Sequence, residues 1–281
     1  MKALEAIKTG TKLLKEKNIP TYILDAELIL SKSLNKSREE ILVNLEQNIN
    51  KKSLIDFNEY LLRRSKKEPI AYLLEEKEFW SKKFFVNKNT LIPRPETELL
   101  VEKLLTIFKK KRITILDVGT GTGCIIISLL SELKNSTGMA VDISSKAIVV
   151  AKKNACKFKL SDKIKFFNKP FEDLCAKKFD LIVSNPPYIP IEDKNTIDEN
   201  VKYEPEVALF TPNSDPLFFY KKILDFAFKN LNRDGKVYLE INPIFVNDLT
   251  LLFQRYNIDK IDFKNDFRGK KRLVRLTFFN E

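Results

Sequence analysis

The sequence predicts an α/β protein in which a doubly wound domain, with a mostly parallel sheet, follows a small helical bundle. Three observations carry this prediction. Apolar residues recur at helical spacing up to about residue 64. From Ile113 onward, short apolar runs typical of buried strands alternate with helical patterns. A glycine-rich turn joins the first of these strands to the helix that follows it. The 281 residues suffice for one large domain and one small domain.

The composition excludes several kinds of catalysis. The chain contains no histidine, so catalytic triads that use histidine, HExxH zinc sites and acid–base catalysis by imidazole are ruled out. Its cysteines, Cys124, Cys156 and Cys175, form no CxxC pair. We expect all of them to be reduced, buried small side chains, with no disulfide and no metal site.

The net charge of +12 leaves two interpretations open. It suits a polyanionic partner such as RNA, and it is equally compatible with simple solubility. The sequence has no apolar run of about 18 residues and no signal-peptide pattern near its start. We therefore expect a cytoplasmic protein that does not contact the membrane.

The first part of the chain predicts four or five short helices, separated at Pro20, at 35–37 and at 48–50. Ser37 and Glu40 form a capping-box pattern that predicts the start of one helix. We assign residues 1–72 to this helical domain and expect it to bind a partner. Residues 73–92 hold an aromatic pattern typical of a β-hairpin and are predicted to link it to the α/β domain, 93–281.

The segment 91–98, Leu-Ile-Pro-Arg-Pro-Glu-Thr-Glu, is stiffened by two prolines. Pro95 or Thr97 can open the helix that follows. Arg94 and Glu96 therefore sit on rigid backbone and could line a cleft, although a surface linker that caps a helix explains them as well.

The α/β domain is predicted element by element from its alternating patterns. Strands are expected at 113–118, 138–141, 163–167, 179–184, 236–241, 258–263 and 272–279. Helices are expected from 123, from 144, near 217–231 and from 243. Glu240, at the end of one predicted strand, is either buried and paired or faces the site.

The turn after the first strand holds three of the seven glycines, in Gly119-Thr120-Gly121-Thr122-Gly123. This Gly-x-Gly-x-Gly spacing differs from the motifs of dinucleotide sites and phosphate loops, so a ligand without a pyrophosphate is favoured, and a tight turn without a ligand is the alternative. Asp142 ends the next strand, where a carboxylate can accept both ribose hydroxyls of an adenosine.

The tetrapeptide Asn185-Pro186-Pro187-Tyr188 follows the strand at 179–184. Two prolines remove two backbone donors and leave carbonyl oxygens free to accept. Together with the Asn185 side-chain oxygen and the Tyr188 ring, they suit a planar NH₂ group, either of a carboxamide or of a base. A turn with a packed tyrosine is the alternative.

From about residue 90 the chain resembles the class I S-adenosylmethionine-dependent methyltransferases, and over nearly its whole length it resembles the HemK/PrmC family. The resemblance rests on the helical N-terminal domain and on the motifs at 91–98, 119–123, 183–189 and 203–205. It implies a Rossmann-like domain with a seven-stranded sheet. It also implies methyl transfer from S-adenosylmethionine to the glutamine side-chain amide in the Gly-Gly-Gln motif of class 1 peptide chain release factors.

The resemblance also implies roles for individual residues. Those expected to hold the cofactor are Asp117, Gly119, Thr120, Gly121, Thr122, Gly123, Asp142 and Asn185, with Pro170 and Phe171 where the family often has an aromatic residue beside the adenine. Those expected to hold the glutamine are Asn185, Pro186, Pro187 and Tyr188, with Arg94 and Glu204 nearby. Two departures affect loop shape: Leu74-Glu75, where the family usually has a glycine, and 239–242, after which a glycine is common.

A nucleic-acid amine methyltransferase is the competing hypothesis, because Asn-Pro-Pro-Tyr serves adenine as well as glutamine. The extra material is about 90 residues with a helical pattern, mild charge and few aromatic side chains expected to be exposed, which suits a protein partner better than a flipped base. We therefore expect a monomer that acts on release factors and forms no stable complex with nucleic acid.

Overall fold

The computed structural model describes residues 1–174 and 178–279. It divides into two compact units. The first contains Met1–Glu76 together with Asp198–Tyr203, and the second contains the remaining described residues. The division after Glu76 leaves most of the segment that we predicted as a linker in the second unit.

Five helices form the first unit, in agreement with the four or five predicted. They are α1 (Ala3–Glu16), α2 (Tyr22–Leu34), α3 (Arg38–Val43), α4 (Lys51–Ser65) and α5 (Ile70–Leu74). The predicted capping box is confirmed at the start of α3: Ser37 Oγ accepts from Glu40 N at 3.2 Å, and Glu40 Oε2 accepts from Ser37 N at 2.7 Å. Helix α5 ends at Glu75 in the left-handed region (φ 58°), which explains why a glycine is usual in this segment of the family.

The short segment 198–203 belongs to the first unit although it lies far along the chain. Tyr203 Oη donates a hydrogen bond of 2.6 Å to the carbonyl oxygen of Lys66, which follows the end of α4. This contact holds the segment 198–203 within the first unit.

The predicted hairpin consists of β1 (Glu76–Phe79) and β2 (Lys82–Phe85). Trp80 and Ser81 both have positive φ, as a two-residue turn with the twist of the strands requires. Phe79 and Phe84 are buried in the core of the second unit. The hairpin is therefore anchored to the α/β unit by its aromatic side chains.

The second unit contains the sheet and the helices that cover it. Its helices are α6 (Glu98–Phe108), α7 (Cys124–Glu132), α8 (Ser145–Lys157), α9 (Phe218–Asn230) and α10 (Val246–Phe253). Its further strands are β3 (Thr114–Val118), β4 (Thr137–Asp142), β5 (Ile164–Asn168), β6 (Phe179–Ser184), β7 (Ile189–Pro190), β8 (Phe210–Thr211), β9 (Leu231–Glu240), β10 (Ile258–Asn265) and β11 (Lys271–Phe278).

Seven of these strands form one sheet in the order β10-β11-β9-β6-β3-β4-β5. Only β11 runs antiparallel to its neighbours in this sheet of the described chain, so the predicted mostly parallel sheet is confirmed. Strands β7 and β8 form a separate two-stranded sheet.

The central strands are mostly apolar because both faces of the sheet are covered. Leu181 and Val183 of β6 point into the core beside α6 and α7, whereas Ile182, between them, points into the core beside α9 and α10. The order of strands reverses between β3 and β6, where Val118 pairs with Ser184. Ligands of open α/β sheets bind at such a point, beyond the carboxyl ends of the strands.

Some predicted boundaries differ from the structure. Strand β9 begins at Leu231, five residues before the expected start, because its polar first half still pairs with β6 across a register shift near Phe179. The helix expected from 243 begins as a single 3₁₀ turn, Pro243–Phe245, and α10 follows it.

The cysteine prediction was partly wrong. Cys124 is buried, but Cys156 is exposed, because it lies on the solvent-facing side of α8. Cys175 lies outside the described residues. Among the residues that the structure describes, no helix is both long and apolar enough to cross a membrane.

Candidate active site

A cavity of about 250 Å³ lies at the carboxyl ends of β3, β4 and β6, at the point where the strand order reverses. Its volume is near the lower end of small-molecule sites, ~300 Å³. The loops that follow these strands supply much of its lining, including Gly119, Gly121, Asp142, Ile143, Asn185, Pro186 and Pro187. Pairing of Val118 with Ser184 explains why Gly119 and Asn185 come together, since each directly follows its strand.

The glycines of the first turn have different surroundings. Gly119 and Gly121 line the cavity with positive φ (68° and 53°), and no heavy atom lies closer than 4.0 Å to the position that a Cβ would take. A side chain at either position would therefore occupy the cavity. Gly123 (φ 79°) is packed instead, because a Cβ there would lie 2.9 Å from Ile127. The turn thus provides bare backbone where a ligand would lie, as a bound cofactor requires.

Asp142 lies at the edge of the cavity, and backbone amides hold its carboxylate in place. Oδ2 accepts from Gly121 N and Oδ1 accepts from Ser144 N, both at 2.9 Å. Burial raises its pKa, while these two hydrogen bonds lower it. Each oxygen keeps a further lone pair, so the carboxylate can accept from two neighbouring hydroxyl groups.

Asp117, Thr120 and Thr122 are buried behind the cavity and do not line it. Asp117 Oδ2 accepts from Thr120 Oγ1 at 2.7 Å, and burial raises the pKa of Asp117 to about 7. The Thr122 carbonyl oxygen accepts from Asn154 Nδ2 at 2.9 Å. These contacts fix the shape of the glycine turn from behind.

Pro170 and Phe171 line the cavity. The Phe171 ring also packs edge-on against the Phe226 ring, with ring centroids 5.6 Å apart. The Phe171 side chain is buried. A rigid aromatic ring is therefore present on this wall. Ile143, which is 63% exposed, lies on the same cavity beside Asp142.

Asn185 has its side-chain amide held by the segment before α6. Its Nδ2 donates to Thr97 Oγ1 at 3.3 Å, and Thr97 Oγ1 in turn donates to Glu240 Oε2 at 2.6 Å. Within 1–174 and 178–279, no donor is paired with Asn185 Oδ1 or with the carbonyl oxygen of Pro186. Both residues line the cavity, so two acceptors are available to a ligand there.

Tyr188 is placed differently from the other three residues of its tetrapeptide. It is partly buried against the core that contains Tyr220, and it is not part of the described cavity lining. Burial, and secondly the charge of Glu240, raise the pKa of Tyr188 to about 12. Its proposed contact with a substrate amide remains a prediction.

Arg94 and Glu204 pair with each other outside the described lining of the cavity. The Arg94 guanidinium lies 2.6 Å from Glu204 Oε1, and Glu204 Oε2 accepts from Ile92 N at 2.9 Å. Glu204 is buried, which raises its pKa although Arg94 lowers it. The pair joins the loop after β7 to the segment before α6, and contact with a substrate remains a prediction for both residues.

Sequence reasoning missed Ile143 and the role of Thr97. The exposed Ile143 could have been found from its place directly after the strand-end carboxylate, where an apolar residue has no core to fill. Thr97 was predicted only as a residue that opens a helix, yet its side chain makes no capping hydrogen bond and bonds Glu240 instead. Glu240, which the sequence left open, is buried and paired.

Known structures share this fold. The hMettl16 catalytic domain, solved in complex with MAT2A 3'UTR hairpin 6, matches with a TM-score of 0.61 and 18% identity, over 79% of this chain and 83% of that chain. A methyltransferase from Pyrococcus furiosus matches with a TM-score of 0.52 and 18% identity, over 69% and 87%. Residues 95–202 match the methyltransferase small domain. The chain thus shares the fold of these methyltransferases.

Sequence relatives define the family. Residues 5–74 match the PrmC N-terminal domain. The release factor glutamine methyltransferase of Flavobacterium psychrophilum is 38% identical over 94% of this chain and 93% of its own, and that of Leptospira interrogans is 40% identical over 98% and 97%. A bifunctional methyltransferase of Rickettsia bellii is 38% identical, and the chain spans 51% of it. The chain belongs to the release factor glutamine methyltransferase family, which confirms the resemblance seen in its motifs.

Proposed function

We propose that this protein transfers a methyl group from S-adenosylmethionine to the side-chain amide nitrogen of the glutamine in the Gly-Gly-Gln motif of class 1 release factors. One observation supports the proposal beyond family membership: Asn185 and Pro186 line the cavity, and neither Asn185 Oδ1 nor the Pro186 carbonyl oxygen is paired with a donor in the described chain. Two acceptors side by side in the chain match the two hydrogens of a carboxamide.

The cofactor would be held by residues already in place around the cavity. Gly119 and Gly121 leave room beside their backbone, and Asp142 would accept the ribose hydroxyls. Phe171 and Ile143 offer apolar surface for a flat ring. S-adenosylmethionine, when bound, supplies an electrophilic methyl group, and the residues around it need only hold and align the reactants.

The substrate nitrogen would be prepared by its two hydrogen bonds. An amide nitrogen is a poor nucleophile because its lone pair is delocalised into the carbonyl group. When Asn185 Oδ1 and the Pro186 carbonyl oxygen accept its hydrogens, they favour a pyramidal nitrogen with a localised lone pair and fix the direction of that lone pair. Tyr188, which directly follows the lining residue Pro187, would support the amide plane.

We assign the helical unit to binding of the release factor. The enzyme would act as a monomer in the cytoplasm, where release factors function, and would form no stable complex with nucleic acid. The basic charge of +12 would guide encounter with acidic parts of the partner, so the rate at low substrate should fall as salt is added.

The direct test uses purified enzyme, tritiated S-adenosylmethionine and a release factor. Label should enter the wild-type release factor and not a variant whose Gly-Gly-Gln glutamine is replaced by alanine. The Asn185→Ala enzyme should be slower by ~10²–10³ in kcat, because an acceptor that acts on the reacting group is lost. Normal turnover by this variant would remove Asn185 from the proposed mechanism.

A further inference from the structure

The role of the Asn185 amide depends on which way it faces, and that orientation is set outside the motif. An asparagine amide has an oxygen that accepts and a nitrogen that donates, in nearly the same shape. Only one of its two orientations presents Oδ1 to the cavity. The partner that touches its other end therefore decides whether the site can accept a substrate hydrogen.

That partner is Thr97. Its Oγ1 is 3.3 Å from Asn185 Nδ2 and 2.6 Å from Glu240 Oε2. A hydroxyl has one hydrogen, and an ionised carboxylate only accepts. While Glu240 is ionised, Thr97 must therefore donate to it, and the Thr97 oxygen can then only accept from Asn185. The amide nitrogen is held on Thr97, and the amide oxygen, which has no donor in the described chain, is left free to accept from a ligand in the cavity that Asn185 lines.

The three groups are placed to act as a unit. Thr97 is 2% exposed and Glu240 is 4% exposed, so water does not compete for either group. A second anchor fixes the end of β9, because Tyr220 Oη donates to the backbone oxygen of Glu240 at 3.0 Å. Thr97 itself ends the 3₁₀ turn that begins at Pro95. Rigid elements thus carry both the Thr97 hydroxyl and the Glu240 carboxylate.

We propose that Thr97 and Glu240 are positioning residues for methyl transfer: the carboxylate fixes the direction of the Thr97 hydroxyl, and this hydroxyl fixes the Asn185 amide with its oxygen toward the substrate. This inference rests on the proposed function, since it assigns the orientation of the group that would hold the glutamine amide. It adds two residues, far from each other in sequence, that touch neither cofactor nor substrate.

The ionisation of Glu240 provides an independent way to test this arrangement. Protonated Glu240 can donate to Thr97, which then donates to Asn185 Oδ1 and turns the amide around. The pKa of Glu240 is raised to about 7, chiefly by burial and in smaller part by the charge of Glu96. The hydrogen bond from Thr97 and the charges of Arg272 and Arg94 act in the opposite direction. The other titratable groups that interact with Glu240 are Tyr188, Tyr220 and Cys124.

The test compares Thr97→Val, which removes the hydroxyl at nearly constant shape, with Thr97→Ser, which restores it. The Val variant should lose at least about tenfold in kcat for the release factor, and the Ser variant should stay within about threefold of the wild type. Affinity for S-adenosylhomocysteine should change little in both. Ser136→Ala is the matched control. It removes another buried hydroxyl, which accepts a hydrogen bond from the backbone amide of Ile113 and lies just before the start of β4.

Two further measurements do not rest on the kinetics of the Val variant. In the wild type, kcat should rise with pH through the ionisation of Glu240, and Glu240→Gln should flatten this limb. With isotope-labelled asparagine, the Asn185 side-chain NH₂ signal should show protection from hydrogen exchange in the wild type and lose it in Thr97→Val.

The outcomes separate this inference from the proposed function. If the wild-type enzyme does not label the release factor, the proposed function fails, and the NH₂ protection still reports on the amide orientation. The positioning role is contradicted if Thr97→Val keeps kcat within about threefold of the wild type, or if serine restores nothing. It is equally contradicted if the Val variant loses cofactor affinity in parallel with kcat, because a positioning role leaves the cofactor site intact.

Discussion

The guanidinium group of Arg94 lies 2.6 Å from Oε1 of Glu204, although 110 residues separate them in the chain. The same carboxylate accepts from Ile92 N at 2.9 Å, so one buried side chain holds the segment before α6 at two points. This segment also carries Thr97, which contacts Asn185. The pair therefore supports the part of the structure against which the proposed substrate site is built.

Replacing Glu204 by alanine should destabilise the protein by about 2–4 kcal/mol, because Arg94 and the Ile92 amide would both lose a partner in a largely buried place. Lys194→Ala is the matched control, since Lys194 and Glu206 form a pair of similar length, 2.7 Å, that is half-exposed. It should cost less than about 1 kcal/mol. Denaturant unfolding followed by circular dichroism measures both, and similar small effects would contradict the anchoring role of Glu204.

Gly119→Ala should weaken binding of S-adenosylhomocysteine at least about tenfold, because the new Cβ would enter the cavity. Gly269→Ala is the matched control. It has a similar φ (75° against 68°) and open space around its Cβ position, but it lies in the turn between β10 and β11. Both variants should lose about 1–2 kcal/mol of stability from backbone strain. Calorimetry that finds equal cofactor affinity in the two variants would exclude Gly119 from the cofactor site.

Asp142→Ala should weaken binding of both S-adenosylmethionine and S-adenosylhomocysteine by about 1.5–3 kcal/mol, since a charged acceptor is removed. Asp142→Asn keeps the shape and one acceptor oxygen, so its loss should be smaller. Asp142 also accepts hydrogen bonds from the backbone amides of Gly121 and Ser144. The melting temperature of each variant therefore checks that a loss of affinity does not come from unfolding. Unaltered affinity in Asp142→Ala would reject Asp142 as the ribose ligand.

Glu240 should make stability depend on pH. Its pKa in the folded protein, about 7, lies above the ordinary 4.5, so the folded state binds the proton more tightly than the unfolded state. The resulting stabilisation is fully present below about pH 4.5 and is lost as the pH rises to about 7, by at most about 3 kcal/mol. Glu240→Gln should remove this part of the dependence.

Asp117 titrates over the same range, with a pKa of about 7, so the comparison must be made between the wild type and Glu240→Gln at each pH. Stability and kcat of the wild type should then move in opposite directions as the pH rises through this range. A difference in unfolding free energy between the two proteins that stays constant with pH would contradict the assignment.

The fold could be predicted from sequence where the signal is local. The run at 179–184 became β6 with the expected bounds, because a strand covered on both faces is mostly apolar. Ser37 capped α3 as expected, because its partner is only three residues away. The glycine turn and Asp142 could likewise be located, since strand ends meet at one edge of a parallel sheet.

Other parts could not be predicted because they depend on contacts between distant residues. Thr97 and Glu240 are 143 residues apart, and only the packing of α6 against the end of β9 brings them together. Exposure of Cys156 depends on the phase of α8 relative to the sheet, and cysteine content carries no information about that. The pairing of Arg94 with Glu204, in place of two separate cleft residues, has the same origin.

The most direct test of the proposed activity is a competition in which one reaction contains a release factor, DNA and RNA with labelled S-adenosylmethionine. The label should appear in the release factor, and tandem mass spectrometry should place one methyl group on the side-chain nitrogen of the Gly-Gly-Gln glutamine. Label that enters nucleic acid in preference to the release factor, or a methyl group on any other residue, would contradict the account.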